Sequence, residues 1–83
     1  MKKQAIKLTE LLFLGFTSSD NEPLENGDYY YTVKYRKNDS EICFTYECNN
    51  KNKITNCFVD FNCEILKGKP LTKIDVELLI EIM

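Results

Sequence analysis

The chain has 83 residues, 43% of them apolar and 29% charged, with a net charge of −2 and no histidine. That length allows one domain, residues 1–83, with a modest core. The charge is too small to mark a nucleic-acid partner, and the missing histidine removes the commonest general base and zinc ligand.

The start, MKKQAIKL, has the basic character of a signal peptide, but Lys7, Thr9 and Glu10 break the apolar run that follows. No stretch is long enough to span a membrane. The expectation is a cytoplasmic protein whose first residues belong to the fold. Residues 4–14 read as a helix, with Ala5, Leu8, Leu11 or Leu12, and Phe16 near one stripe and Ile6 and Phe13 widening it. Gly15 is its stop, with Phe16 folding back on Leu11 or Leu12. Thr9 as an alternative N-cap shortens the helix to little more than a turn.

Residues 17–28 are rich in Ser, Asn, Asp, Pro and Gly and read as a polar loop. It holds Asp20, Glu22, Glu25 and Asp28 and no basic residue. Their spacing does not match an EF-hand, so a solvated acidic loop is the expectation.

Residues 29–36 alternate Tyr29, Tyr31, Val33 and Tyr35 with Tyr30, Thr32, Lys34 and Arg36 and read as a strand. A turn at Lys37–Ser40 leads to Glu41–Cys48, where Ile42, Phe44, Tyr46 and Cys48 alternate with Glu41, Cys43, Thr45 and Glu47. After a second turn, Asn50–Lys53, a third strand is expected from Ile54 to Ile65. Its Thr55, Cys57, Val59, Phe61, Cys63 and Ile65 share one face. Four-residue turns set Tyr35 opposite Ile42, Val33 opposite Phe44 and Phe44 opposite Val59. Both registers collect the apolar sets on one face, and a slip of one residue in either destroys that agreement. The other face gains Arg36 beside Glu41 and Thr32 beside Thr45.

Residues 66–70 form a connector. Thr72 then starts a helix as its N-cap, with Asp75 in the capping-box position and Leu71 and Val76 as a hydrophobic staple. Ile74, Val76, Leu78, Leu79, Ile80, Ile82 and Met83 surround more than half the helix, which predicts burial on more than one side. The expected fold class is α+β, in the order α-β-β-β-α. It is a three-stranded antiparallel meander with both helices packed on one face.

Catalytic equipment is sparse. Cys43-x4-Cys48 and Cys57-x5-Cys63 are not zinc-ribbon spacings, and four free thiols in a reducing compartment are expected. Cys43 is the one candidate nucleophile, with no base nearby in sequence. Gly15, Gly27 and Gly68 are isolated, so no phosphate loop is present, and no cofactor is implied.

The open sheet face carries Tyr30 and Phe58 among Lys34 and Arg36. Glu41, Glu47, Asp60 and Glu64 are expected on the same face and argue against nucleic acid there. A protein partner suits such a surface better. The candidate binding residues are therefore Tyr30, Phe58, Lys34 and Arg36 on the sheet and Asp20, Glu22, Glu25 and Asp28 in the loop. The alternative is a homodimer built on the apolar C-terminal helix.

Four features carry a resemblance: Leu11-Leu12-Phe13-Leu14-Gly15-Phe16, the tyrosine-rich strand behind an acidic loop, the hairpins, and the closing Glu77-Leu78-Leu79-Ile80-Glu81-Ile82-Met83. In this outline the chain resembles small accessory proteins of phages and mobile elements from AT-rich bacterial genomes. That the protein is non-enzymatic is expected from the sparse catalytic equipment, not from the resemblance. The resemblance implies a phage or mobile-element accessory protein that binds and blocks a host defence or regulatory protein. It carries over no functional residue.

Overall fold

A computed structural model describes residues 5–68 and 70–83. Its elements are α1 (Leu8–Phe13), β1 (Thr17–Ser18), β2 (Glu22–Pro23), β3 (Tyr29–Lys37), β4 (Ser40–Cys48), β5 (Ile54–Phe61), β6 (Glu64–Leu66) and α2 (Lys73–Ile82). They form a six-stranded antiparallel sheet in the order β1-β3-β4-β5-β6, with β2 also paired to β3. This corrects the three-stranded α-β-β-β-α expectation: three short strands extend the meander at both edges.

The central register is the one the alternation predicts. Tyr35 lies opposite Ile42, Val33 opposite Phe44, and Phe44 opposite Val59. Asn38 and Asp39, both at positive φ (50° and 66°), make the tight turn between β3 and β4. The β4–β5 turn is longer. The Asn49 carboxamide oxygen accepts from the backbone N–H groups of Lys51 (2.9 Å) and Lys53 (3.0 Å), and the pairing shifts next to Glu47 and Cys48.

The third strand does not run on to Ile65. Asn62 and Cys63 adopt φ of 52° and 71° and reverse the chain into β6. The Asn62 side-chain oxygen accepts from the Glu41 N–H at 2.8 Å, and its own N–H donates to the Glu41 carbonyl at 2.9 Å. The reversal exchanges the faces of the residues beyond it. Ile65 pairs with Asp60 on the open side, Leu66 with Val59 on the core side, and Glu64 with Phe61.

The polar loop is also partly strand. The chain leaves α1 and runs back along the outer edge of β3, Thr17 beside Lys34 and Ser18 beside Val33. It pairs again at Glu22–Tyr30 and Pro23–Tyr29, one residue out of step, as a bulge produces. Ser19 bridges the gap: its N–H donates to the Thr32 carbonyl, and its hydroxyl accepts from the Thr32 N–H. A polar segment forms strand here because β3 offers an unpaired row of backbone groups. Pro23, lacking an N–H, is tolerated on the outermost strand.

Both helices contribute to the cluster on one face of the sheet. Leu11 of α1 and Val76 of α2 join Ile6, Phe16, Val33, Ile42, Phe44 and Tyr46 there. Phe16 packs edge-on to Phe44 (5.9 Å between ring centres) and tilted against Tyr35 (5.2 Å), while Tyr31 stacks on Tyr46 (5.2 Å).

Helix α1 is shorter than the expected 4–14. Gln4 lies outside the described residues, and Ala5–Lys7 is not helical. Its end matches the expectation: Phe16 N–H donates to the Leu11 carbonyl and Gly15 N–H to that of Leu12, with Gly15 at φ 104°. Phe13 points to solvent rather than widening the buried stripe.

Helix α2 begins as expected. The Asp75 N–H donates to the Thr72 hydroxyl at 3.2 Å, and the Thr72 N–H donates to the Asp75 carboxylate at 2.9 Å. At its other end Lys37 Nζ donates to the Ile80 carbonyl and the Asn38 carboxamide to that of Met83, so the β3–β4 turn caps the helix. Ile6 N–H donates to the Leu71 carbonyl at 2.8 Å and ties the segment before α1 to the segment before α2.

Candidate functional site

Strand pairing decides what the open face presents. Directly opposed residues share a face, so the side away from the helices can be read in rows. The first row is Glu22, Tyr30, Glu47 and Asn56; the second is Thr32, Thr45 and Phe58. The third is Thr17, Lys34, Cys43, Asp60 and Ile65, and the fourth is Arg36 with Glu41.

Tyr30, Lys34, Arg36 and Phe58 therefore do share this face. Tyr30 and Phe58 are half-buried, while Lys34 and Arg36 are exposed. Tyr30 and Phe58 sit on strands either side of β4, roughly 10 Å apart across the sheet. They lie in adjacent rows, Tyr30 beside Glu47 and Phe58 beside Thr45, rather than opposite each other across one β4 residue. Each cation has an acidic neighbour: Asp60 lies across Cys43 from Lys34, and Glu41 lies beside Arg36.

The acidic residues divide. Glu22 joins the open face beside Tyr30. Asp20 is exposed next to the bulge, with its carbonyl accepting from the Ser19 hydroxyl. Glu25 and Asp28 bracket a tight turn in which Asp28 N–H donates to the Glu25 carbonyl and Leu24 N–H to that of Asp28. The Asn50 carboxamide donates to the Asn26 carbonyl, and the Tyr29 hydroxyl donates to Asn52 Oδ1 at 3.0 Å. These bonds fix the turn against the β4–β5 turn. Among the described residues, no three His, Cys, Asp or Glu side chains are close enough to hold a metal ion.

Cys43 is a poor nucleophile. It is only 6% exposed, and burial pushes its thiol up, with Asp60 and Glu41 adding to the effect against Lys34 and Thr45. The thiol therefore stays protonated at neutral pH. All four cysteines are free.

Two apolar features lie apart from the candidate binding residues of the sheet face and the acidic loop. A cleft of about 390 Å³ opens on the core side beside β5 and β6, lined by Ile6, Tyr46, Cys57, Val59, Leu66 and Leu71 among others. It depends on the β5–β6 reversal, which brings Leu66 to the core side. Asn62 was the available signal, since Asn is depleted in strands and favours the left-handed turn. The second feature is the outer side of α2, where Ile74, Leu78 and Ile82 are exposed. The all-round apolar pattern predicts burial there, and the structure corrects it: only the side bearing Val76 is sealed.

Comparison of the chain with protein-family models, with curated proteins and with solved structures gives no match in any of the three. Among the described residues, no helix is long and apolar enough to cross a membrane.

Proposed function

We propose that the protein works by binding another protein, with no chemistry of its own, through the open sheet face and the acidic segment that adjoins it. The observation that carries this is their continuity. Glu22 pairs beside Tyr30, so the acidic edge and the aromatic–cationic face form one surface. Tyr30 and Phe58 are the anchors, half-buried rings that lose little freedom on binding. Lys34 and Arg36 select acidic groups on the partner; Asp20 and Glu22 select basic ones. Glu22, Glu41, Glu47 and Asp60 repel a phosphate backbone, which disfavours nucleic acid.

The setting we propose is the cytoplasm of a bacterium, where a phage or mobile-element accessory protein blocks a host defence or regulatory protein. The test is capture of a partner from such a host, followed by binding to the purified partner. The Tyr30→Ala/Phe58→Ala variant, folded by circular dichroism, should lose at least tenfold in affinity. Unchanged affinity in that variant removes this surface from the reading.

A second reading, self-association as a homodimer, is favoured by a different observation: the exposed apolar side of α2. The two readings use different surfaces, so one protein can satisfy both.

A further inference from the structure

Among the described residues, helix α2 packs with one side. Val76 is fully buried, and Leu79, Ile80 and Met83 pack against the core. Ile74, Leu78 and Ile82 are 67%, 55% and 75% exposed. Spaced four residues apart, they form a stripe along the opposite side. Leu66 and Leu71 carry the apolar surface on into a shallow groove beside Leu78 and Ile82.

Two features of the helix say what covers this stripe. The first is its order, Ile-Leu-Ile, which reads the same in both directions. A second copy laid antiparallel sets Leu78 on Leu78 and Ile74 on Ile82. The second is charge. Lys73, Glu77 and Glu81 run along one flank of the stripe, also four residues apart, and all three are exposed. The same antiparallel register sets Lys73 of each copy beside Glu81 of the other. A parallel pair instead brings Lys73 and Glu77 equally close to the Asp75 side, so attraction and repulsion offset there, and sets no cation of the helix opposite Glu81.

The charges are also misplaced for an isolated helix. Lys73 opens α2 and Glu81 lies in its last turn, each opposed to the helix macrodipole. An antiparallel neighbour reverses that sign, because each end then lies beside the opposite pole of the other helix. We propose that two copies of this chain associate about a two-fold axis, with their α2 helices antiparallel and the Ile74–Leu78–Ile82 stripe as the seam. This rests on the second reading above and supplies its geometry.

The seam is small. A ten-residue helix is about 15 Å long, and two of them bury less than the roughly 1,200 Å² typical of a stable complex. The dimer is therefore weak, with a dissociation constant roughly in the tens to hundreds of micromolar. Glu77 meets its own copy at the centre and holds the affinity down.

The test is sedimentation equilibrium on the full chain from about 20 µM to about 1 mM, the range in which so small an interface associates. The unmodified chain should show a concentration-dependent dimer, and Leu78→Glu should abolish it. Lys73→Glu and Glu81→Lys should each weaken it about tenfold while raising the thermal midpoint slightly, because each substitution corrects the macrodipole. The double reversal Lys73→Glu/Glu81→Lys should restore dimerisation. Residues 73 and 81 are about 12 Å apart along one helix, too far to meet within it, so recovery reports contact between copies.

A chain that stays monomeric at about 1 mM overturns both the seam and the second reading. A dimer that survives Leu78→Glu, or a double reversal no tighter than its single variants, overturns the seam and leaves a dimer formed by another surface.

Discussion

The two sides of β4 carry very different side chains, yet both are largely shielded from solvent. On the helix side Ile42, Phe44 and Tyr46 are buried in one cluster with Leu11, Phe16 and Val76, and Cys48 is buried at the end of the strand. On the other side Cys43 is equally buried, and Glu41, Thr45 and Glu47 are half-buried, although neither α1 nor α2 packs there. Cys43 is a short side chain sunk between Lys34 and Asp60 on the flanking strands. Cover in this sheet therefore comes from two sources: helices above one face, and longer neighbours on either flank of the other. The first source supplies stability; the second leaves Lys34 and Arg36 open to solvent.

That contrast is sharpest at matched positions. Ile42→Ala and Phe44→Ala should each cost about 2–5 kcal/mol, because each opens a cavity under the helices. Thr45→Ala, on the same strand but facing away, should cost less than about 1 kcal/mol. Urea midpoints measure the difference, and equal losses would erase the distinction between the two faces. Next in size is the seal itself. Gly15→Ala places a Cβ at φ 104° and 3.5 Å from the Tyr35 ring, and should cost about 1–2 kcal/mol by strain in the turn that folds Phe16 onto Leu11.

Alkaline titration affects both faces at once. Burial raises the Tyr46 and Tyr31 hydroxyls on the core side and the Cys43 thiol on the other. Each group is held in its neutral form by folding, so the folded state binds more protons than the unfolded one as pH climbs. Stability should be fully retained below about pH 9 and fall above it, as these groups pass their ordinary values of 9.0 and 10.0. Denaturant curves at stepped pH check this, and a flat profile to pH ~11 contradicts the burial of these groups.

A smaller effect concerns thiol access. Cys43 should react with iodoacetamide far more slowly than the exposed Cys63 in the native protein, and mass spectrometry of timed samples ranks them. The smallest effect is Lys34→Ala, which should leave stability within about 0.5 kcal/mol because its side chain is exposed.

The meander was legible because β3, β4 and β5 alternate strictly and short turns join them, leaving only one register with a continuous apolar face. The parity of Tyr30, Lys34, Arg36 and Phe58 followed from the same pattern. Other features depended on contacts with no local signature. Thr17–Ser18 and Glu22–Pro23 are strands only because the edge of β3 lies beside them, and the union of Glu22 with Tyr30 comes with that pairing. Asn62–Cys63 interrupts an alternation that otherwise continues, so the alternation alone places Ile65 on the core side, opposite to where it lies. In α2, apolar residues all round gave no indication of which side the sheet would take.

The turns between β3, β4, β5 and β6 also bear on how the chain assembles. Each joins neighbours along the sequence, so this part of the sheet can zip from adjacent pieces, and hairpins of this kind form in about 1–10 µs. Drawing Ile6 to Leu71, by contrast, closes a loop through most of the molecule and carries the larger entropic cost. Mutations at that closure should therefore hasten unfolding with little effect on the refolding rate, and mutations in the β3–β4 turn should do the reverse.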